Sequence, residues 1–547
     1  MRYRKLMGRI LASLTAAVLL MVPAGVTAAA SDISEQAERF NMSYIYFGDS
    51  GTYASYVDDT DGSLDNISPS YFNLNEDGTL KLTIAMDRNF INEMHDRGVK
   101  VTPFLSNHWN RQTGVNALAK REQLSSQIVS AITEYNLDGV NVDIENVTET
   151  ERDSYTDFVR LIRQKLPAGK SVSVAVAPNP HRQTTGWYGS YDYAKLAQYS
   201  DYLMMMTYDE HYQGSVPGAV AGYPFVEKTL QVALEDIPAE KLVLGIAFYG
   251  RLWKQGASYG GYGISNSTVE NLISKYRGKV VYDPVARSPK ATITILAADT
   301  KPLVFGRMLE AGKYDIWYEN EESIKSKLTL VGKYDLKGTG SWSLGQETKS
   351  TWDYYSLWLN SRYFSDIQSS WAKQSILSVL NKGWMIGVSN SQFKPDSPVT
   401  RAQAAVVLVR ALGIDTTAVS KSTAVFSDIG NHWARIEIEA ARLNGLVEGT
   451  GEGRYEPDRV LTREQMAVLL DRVLNMSLQS TAAFYDVTPE SSPWSYAAIN
   501  RIAAAGILQG YPDKGFHPED SINRGQMAAL IDRSSPFLSN GVVVASK

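Results

Sequence analysis

Eight short apolar runs, each followed by a helical pattern, predict an α/β fold over residues 40–350: a TIM (β/α)8 barrel with a small α+β insertion between its seventh and eighth strands. A threefold repeat of about 60 residues follows and predicts a separate all-α module. One of the eight runs ends in two carboxylates, and that run carries the chemistry.

The first segment is not part of either fold. Arg2, Arg4, Lys5 and Arg9 form a basic region, Ile10 to Val22 is apolar, and Ala28-Ala29-Ala30 offers a small-residue cleavage site. Residues 1–30 therefore read as a secretory signal peptide, too short in its apolar part for a membrane anchor. Cleavage would remove four basic residues and no acid, which puts the exported chain four charges below the formal −5 of the whole. Such a balance argues against nucleic acid as a partner. With no cysteine among 547 residues there is no disulfide framework.

The barrel, residues 31–353, draws its strands from Tyr44–Phe47, Asn66–Tyr71, Val99–Leu105, Gly139–Ile144, Ser171–Ala177, Tyr202–Met206, Leu242–Phe248 and Gly338–Ser343. The gap between the last two is too long for one helix. It holds Tyr262-Gly263-Ile264-Ser265, a helical stretch from Thr268 to Tyr276, and strand-like Lys279–Tyr282 and Ala291–Leu296. Residues of about 254–314 are thus expected as an insertion walling the site.

In the fourth run, Asp138-Gly139-Val140-Asn141-Val142-Asp143-Ile144-Glu145, side chains two apart share a face. Val140, Val142 and Ile144 pack one way, while Asn141, Asp143 and Glu145 point the other. Two carboxylates on one face repel, so one should hold its proton longer, as a general acid requires. Barrel sites form at the C-terminal ends of strands. Asn107, Tyr208 with Asp209, Tyr249 and Trp342 fall at other strand ends, and several polar and aromatic groups at one mouth suit a sugar.

These eight residues resemble the DGxDxDxE signature of glycoside hydrolase family 18, the chitinase-like hydrolases, with Asn141 in place of its first Asp. Met206-Thr207-Tyr208-Asp209 resembles the family's MxYD motif. Leu242 to Gly250 and Gly340 to Gly345 resemble its seventh and eighth strands. Thr207–His211, Ser215-Val216-Pro217-Gly218 and Trp317-Tyr318-Glu319 look most like its spore- and wall-peptidoglycan branch.

The resemblance implies substrate-assisted retaining cleavage of β-1,4 bonds to N-acetylglucosamine, an exception to the two-carboxylate scheme. It implies Glu145 as acid and base, Asp143 orienting the acetamido N–H, and Tyr208 holding the acetamido oxygen. Trp342 would floor the pocket, with Asn141, Asn107, Asp209 and Tyr249 as further substrate-binding residues. Asn141 is expected to donate a neutral hydrogen bond to Asp143.

The C-terminal repeat places Asp366, Asp428 and Asp486 after an aromatic. Trp371, Trp433 and Trp494 follow, and Arg401, Arg463 and Arg524 come just after Thr400, Thr462 and Asn523, read as helix N-caps. The units are 364–422, 423–481 and 482–536, after a linker at 354–363 and before a tail at 537–547. They resemble S-layer homology domains, which implies binding of secondary cell-wall polysaccharide through the repeated Asp, Trp and Arg. Gln403, Gln465 and Gln526 stand where that family commonly has Glu. An Arg at a helix start suits an anion; an internal bridge from each Arg to its repeat's Asp is the alternative.

Gly169-Lys170-Ser171 lacks the earlier glycine of a phosphate loop, Asp59–Gly62 lacks calcium-loop register, and the six His are scattered without HExxH. No metal or cofactor is expected. The expected whole is an exported, wall-anchored hydrolase of N-acetylglucosamine glycans, peptidoglycan before chitin. A secreted chitinase, an inactive sugar-binding barrel and an S-layer structural protein are the alternatives.

Overall fold

The computed structural model of the protein describes residues 38–367, 369–389, 391–417, 419, 425–474 and 484–538. The predicted signal peptide lies outside them, as does the tail from residue 539. No helix among the described residues is long and apolar enough to cross a membrane.

Eight parallel strands form a TIM-barrel-like sheet. They are Phe40–Ile45, Asn66–Pro69, a third in two pieces (Lys100–Val101 and Phe104–Ser106), Gly139–Asp143, Ser171–Val176, Tyr202–Met205, Leu242–Ala247 and Gly338–Trp342. Each pairs in parallel with its neighbours in chain order, and the eighth pairs back onto the first. Pro103 divides the third strand because it has no N–H to donate. The ladder continues across the break through Thr102 N–H to Ile67 O (2.9 Å) and Asn141 N–H to Pro103 O (2.9 Å).

The first strand starts at Phe40, four residues before its expected start. Asn41 and Ser43 hide it in the sequence because they are polar yet buried. Thr339 Oγ1 donates to Asn41 Oδ1 (3.1 Å) and Ser341 Oγ to Ser43 Oγ (2.7 Å), so the eighth strand satisfies them. Gly338 permits that approach; a Cβ there would lie 1.7 Å from Phe40 O.

Between the seventh and eighth strands the chain builds a five-stranded antiparallel sheet. Its spatial order is Tyr262–Ser265, Tyr249–Lys254, Gly312–Trp317, Ser288–Ile295 and Lys279–Asp283. The helix Asn266–Lys275 covers it through Val269 and Leu272, which pack with Leu252, Ile264, Ile293 and Ile316. A small hairpin, Leu303–Val304 with Arg307–Met308, projects from this unit.

The segment expected as a linker, 354–363, contains one helix. Tyr355–Leu359 is a short helix: Tyr355 and Leu359 pack into the barrel's outer core, and Leu357 into the core of the C-terminal helices.

Three helix pairs follow. They are Lys373–Asn381 with Arg401–Ala411, Arg435–Leu443 with Arg463–Leu474, and Tyr496–Ala504 with Arg524–Leu538. The second helix of each pair packs on the first helix of the next, and the last on the first of all. One apolar cluster runs through the three. Gln403 belongs to a capping box: Thr400 N–H donates to its Oε1 (3.1 Å), and its own N–H to Thr400 Oγ1 (3.3 Å). Thr462 with Gln465 and Asn523 with Gln526 repeat the device. An amide therefore does in these positions the capping that a Glu would do.

Candidate active site

The fourth strand arrives beside the fifth at Gly139, whose φ of +154° and contact with Ser171 leave no room for a side chain. From there the period of two operates as expected. Val140, Val142 and Ile144 are buried in the apolar layer outside the sheet. Asp143 and Glu145 line a cavity of about 590 Å³ at the strands' C-terminal ends, with Tyr208, Asp209, Tyr249 and Trp342.

Trp342 lies among rings, with centroids 5.3 Å from Tyr44, 5.5 Å from Tyr46 and 5.9 Å from Phe104, and these contacts restrain its ring. The Trp342–Ser343 peptide is cis. Thr207 Oγ1 donates to Gly245 O (2.7 Å) and ties the strand end before Tyr208 to the seventh strand.

Asp143 is buried, and its Oδ1 has no hydrogen-bond partner among the described residues. Burial pushes its carboxyl up to about 7. Glu145 is half-buried at the cavity floor. Its carboxyl is also pushed well above the ordinary range, first by burial, then by the charges of Asp143 and Asp209. The charge of Asp143 thus helps hold the proton on Glu145.

Two expected substrate contacts have other employment. Asn107 accepts from Glu145 N–H (2.9 Å) and donates through Nδ2 to Glu145 O (2.8 Å) and Asn110 O (2.9 Å). Its amide is spent on the backbone of Glu145, and it positions that residue from behind. Asn141 is also correctly placed on the inward face but turns elsewhere. Tyr44 Oη donates to its Oδ1 (2.9 Å), and its Nδ2 donates to Ser173 Oγ (2.8 Å). The expected donation from Asn141 to Asp143 is absent because both amide ends already have nearer partners.

Arg251 joins the site from outside the sequence motifs. It grips Asp209 with a fork, Nε to Oδ1 (2.8 Å) and Nη2 to Oδ2 (2.6 Å), while Tyr249 Oη donates to the same Oδ1 (2.7 Å). Tyr249 and Arg251 share a face of one strand, and that spacing was the available signal. Tyr44, Phe47 and Phe305 also line the cavity.

In the helical module the three aspartates make one repeated contact. Asp366 accepts from the N–H groups of Phe393 and Lys394 (3.0 and 2.7 Å). Asp428 does so from Tyr455 and Glu456 (2.9 and 2.8 Å), and Asp486 from Phe516 and His517 (2.8 and 2.7 Å). These carboxylates hold loops of their own repeats.

The arginines of the first two repeats reach into the next one, and that of the third reaches back into the first. Arg401 donates to Tyr455 O and Glu448 O (both 2.9 Å), Arg463 to Phe516 O and Gln509 O (2.8 and 3.0 Å), and Arg524 to Phe393 O and Ile386 O (2.7 and 2.5 Å). Neither expected geometry, an open anion site or a bridge to the repeat's own Asp, describes this fork onto two carbonyls. Burial pushes Arg524 down to about 10 and lowers Arg463 as well. Trp371, Trp433 and Trp494 remain on the surface, at least 48% exposed.

Residues 42–347 match Glycosyl hydrolases family 18, and residues 363–405, 425–467 and 483–528 match the S-layer homology domain. The chain is 29% identical over 247 residues to the uncharacterized glycosylase YvbX of Bacillus subtilis (strain 168), covering 43% of this chain and 65% of that protein. It is 26% identical over 232 residues to the cortical fragment-lytic enzyme of Bacillus anthracis, covering 42% of this chain and 51% of that one. The crystal structure of chitinase from Chromobacterium violaceum ATCC 12472 shares the fold at a TM-score of 0.50 and 25% identity, covering 57% of this chain and 96% of that one. The chain spans between half and two thirds of the length of those two curated relatives.

Proposed function

We propose, because this chain belongs to glycosyl hydrolase family 18 and carries three S-layer homology domains, that it is a wall-anchored hydrolase of glycans containing N-acetylglucosamine. Residues 1–30 serve as its signal peptide, 31–353 as a closed catalytic barrel with an inserted wall at about 254–314, and 364–422, 423–481 and 482–536 as the anchor.

The observation that carries this reading is the unpartnered Asp143 Oδ1, buried at a cavity floor beside Glu145. A buried acceptor without a donor is costly. The N–H of an acetamido group would supply the donor and bring its own carbonyl oxygen within reach of C1; a 2-hydroxyl could donate but carries no such oxygen. In this reading Glu145 gives its proton to the glycosidic oxygen as the bond to C1 breaks. The acetamido oxygen attacks C1 and closes an oxazolinium ring with retention in prospect. Water then opens the ring while Glu145 takes back a proton. Tyr208 holds the acetamido oxygen, and Trp342 bears the sugar's apolar face. Holding nucleophile and C1 in one molecule supplies a large share of the rate.

Peptidoglycan is the preferred substrate, supported by relatives named for lysis of cortical fragments and by the anchor. Chitin is the second reading, supported by the likeness to a chitinase. The anchor's grip on wall polysaccharide falls to the exposed Trp371, Trp433 and Trp494, while Arg401, Arg463 and Arg524, with Asp366, Asp428 and Asp486, hold the loops behind them. Beside Arg401, a groove of about 170 Å³ also takes in Arg472 and Trp494.

Glu145→Gln is expected to abolish soluble products, read by mass spectrometry, from both peptidoglycan fragments and chitin oligomers while sugar binding persists. Retained turnover would overturn the mechanism. Products from chitin alone would move the substrate to the second reading.

A further inference from the structure

The hairpin Leu303–Met308 turns through Phe305 and Gly306, both with positive φ (+43° and +76°). A two-residue turn with both central residues in that region is of the I′ kind, and it favours Asn or Asp followed by Gly. A bulky aromatic at its first position is strained. Phe305 is also 54% exposed, so apolar burial does not repay the strain. Its ring instead stacks on Phe47, with centroids 5.2 Å apart and planes at 18°.

The two rings come from opposite sides of one strand. Phe47 lies two residues beyond the first barrel strand, and Phe305 belongs to the insertion that follows the seventh. The eighth strand, which ends in Trp342, pairs between those two. The stack therefore crosses the cavity mouth above the eighth strand's end. Phe47, Phe305 and Trp342 line the same cavity as Glu145. Glu145 stands on the fourth strand, across the sheet. On that side Trp109 projects from the end of the third strand, 49% exposed.

We propose that the Phe47–Phe305 stack is a bar that ends the cleft beyond the sugar seated on Trp342, so that the enzyme trims glycans from a chain end. The inference rests on the reading of Glu145 as the acid. The sugar whose C1–O bond breaks lies over Trp342, and its leaving group extends toward Glu145 and Trp109. The bar lies on the other side of that sugar, where the non-reducing part of the chain must go. Only a short stub fits there, and short units leave from the non-reducing end. Phe305 thus sets product length without touching the reacting atoms.

The test compares the full chain with Phe305→Asn, which creates the Asn-Gly turn this hairpin prefers and so retains the fold while removing the ring. A second variant, Phe47→Ala, removes the other half of the stack. N-acetylglucosamine oligomers and peptidoglycan strands are digested to a few per cent, and product lengths are read by mass spectrometry. Wild type is expected to release mono- or disaccharide units from the non-reducing end. Either variant should raise the share of longer internal fragments by about tenfold, the scale of a steric contact in a binding pocket. Random product lengths from wild type, or unchanged lengths in both variants, would overturn the bar. No cleavage of either glycan by wild type would instead overturn the hydrolase reading beneath it.

Discussion

Asp143→Asn tests whether the two carboxyls of the fourth strand work as one titrating unit. Residues two apart on a strand are separated by about 6.6 Å. At an effective dielectric of about 20 their charges repel by about 2.5 kcal/mol, which is a factor of about 70 in a protonation equilibrium. Asp143 is among the groups that hold the proton on Glu145, second only to burial. Removing its charge lets Glu145 ionise more readily, so the basic limb of kcat/KM moves to lower pH. On that limb the protonated fraction falls by up to that factor, in addition to any loss from the missing acetamido partner.

The assay is kcat/KM against pH on an N-acetylglucosamine oligomer, with a carboxyl-carbon NMR titration of Glu145 alongside. Stability gives a second sign. Asp143 sits at about 7 when folded against 3.8 ordinarily. The wild type therefore holds this group's stabilisation below about pH 4 and loses it as pH rises through 7. Asp143→Asn should lack that loss and gain stability relative to wild type at pH 8. A basic limb that stays in place, with a Glu145 titration unmoved, would refute the coupling.

Two further perturbations probe the scaffold. Lys327 and Glu319 form a fully buried pair (2.6 Å), and Glu319 also meets Ser288 and Asn266 of the inserted unit. Lys327→Met should cost about 3–5 kcal/mol by stranding the carboxylate, read by urea unfolding. Lys327→Met with Glu319→Leu should recover most of that, and equal losses in single and double variants would show that the charge is not what matters. Arg524→Lys keeps the charge but cannot span Phe393 O and Ile386 O. A loss of about 2 kcal/mol is expected, read by calorimetry, with weaker pelleting on purified walls; unchanged calorimetry would refute the fork's structural role.

The parts of this molecule legible in its sequence are those whose local pattern matches their environment. The fourth strand is one: its alternation separates Val140, Val142 and Ile144 from Asp143 and Glu145, and the cavity opens where the strand ends. The first strand is the opposite case, because Asn41 and Ser43 look solvated until Thr339 and Ser341 arrive from some 300 residues away. Phe305 reaches the cavity through the inserted hairpin and nothing local marks its destination, while Arg251 is marked only by its two-residue spacing from Tyr249. The repeated arginines were visible as a pattern but not in their use. Their partners are main-chain carbonyls of another repeat, and a carbonyl leaves no trace in residue type.

Asn141 bears on the proton arrangement of the two carboxyls. An acid at that position could hand a hydrogen bond to Asp143 and help it ionise. Here the amide is held by Tyr44 and Ser173, so Asp143 faces the cavity with an unsatisfied oxygen and a carboxyl at about 7. In the proposed reading the ligand's acetamido N–H is that donor. An acetamido N–H that satisfies Asp143 also favours its charged form, and that charge both keeps the proton on Glu145 and faces the cation that forms at C1. In this reading the substrate supplies the nucleophile and also completes the proton arrangement. In the same reading, the Asn at position 141 leaves that hydrogen bond to be made by the N-acetyl sugar.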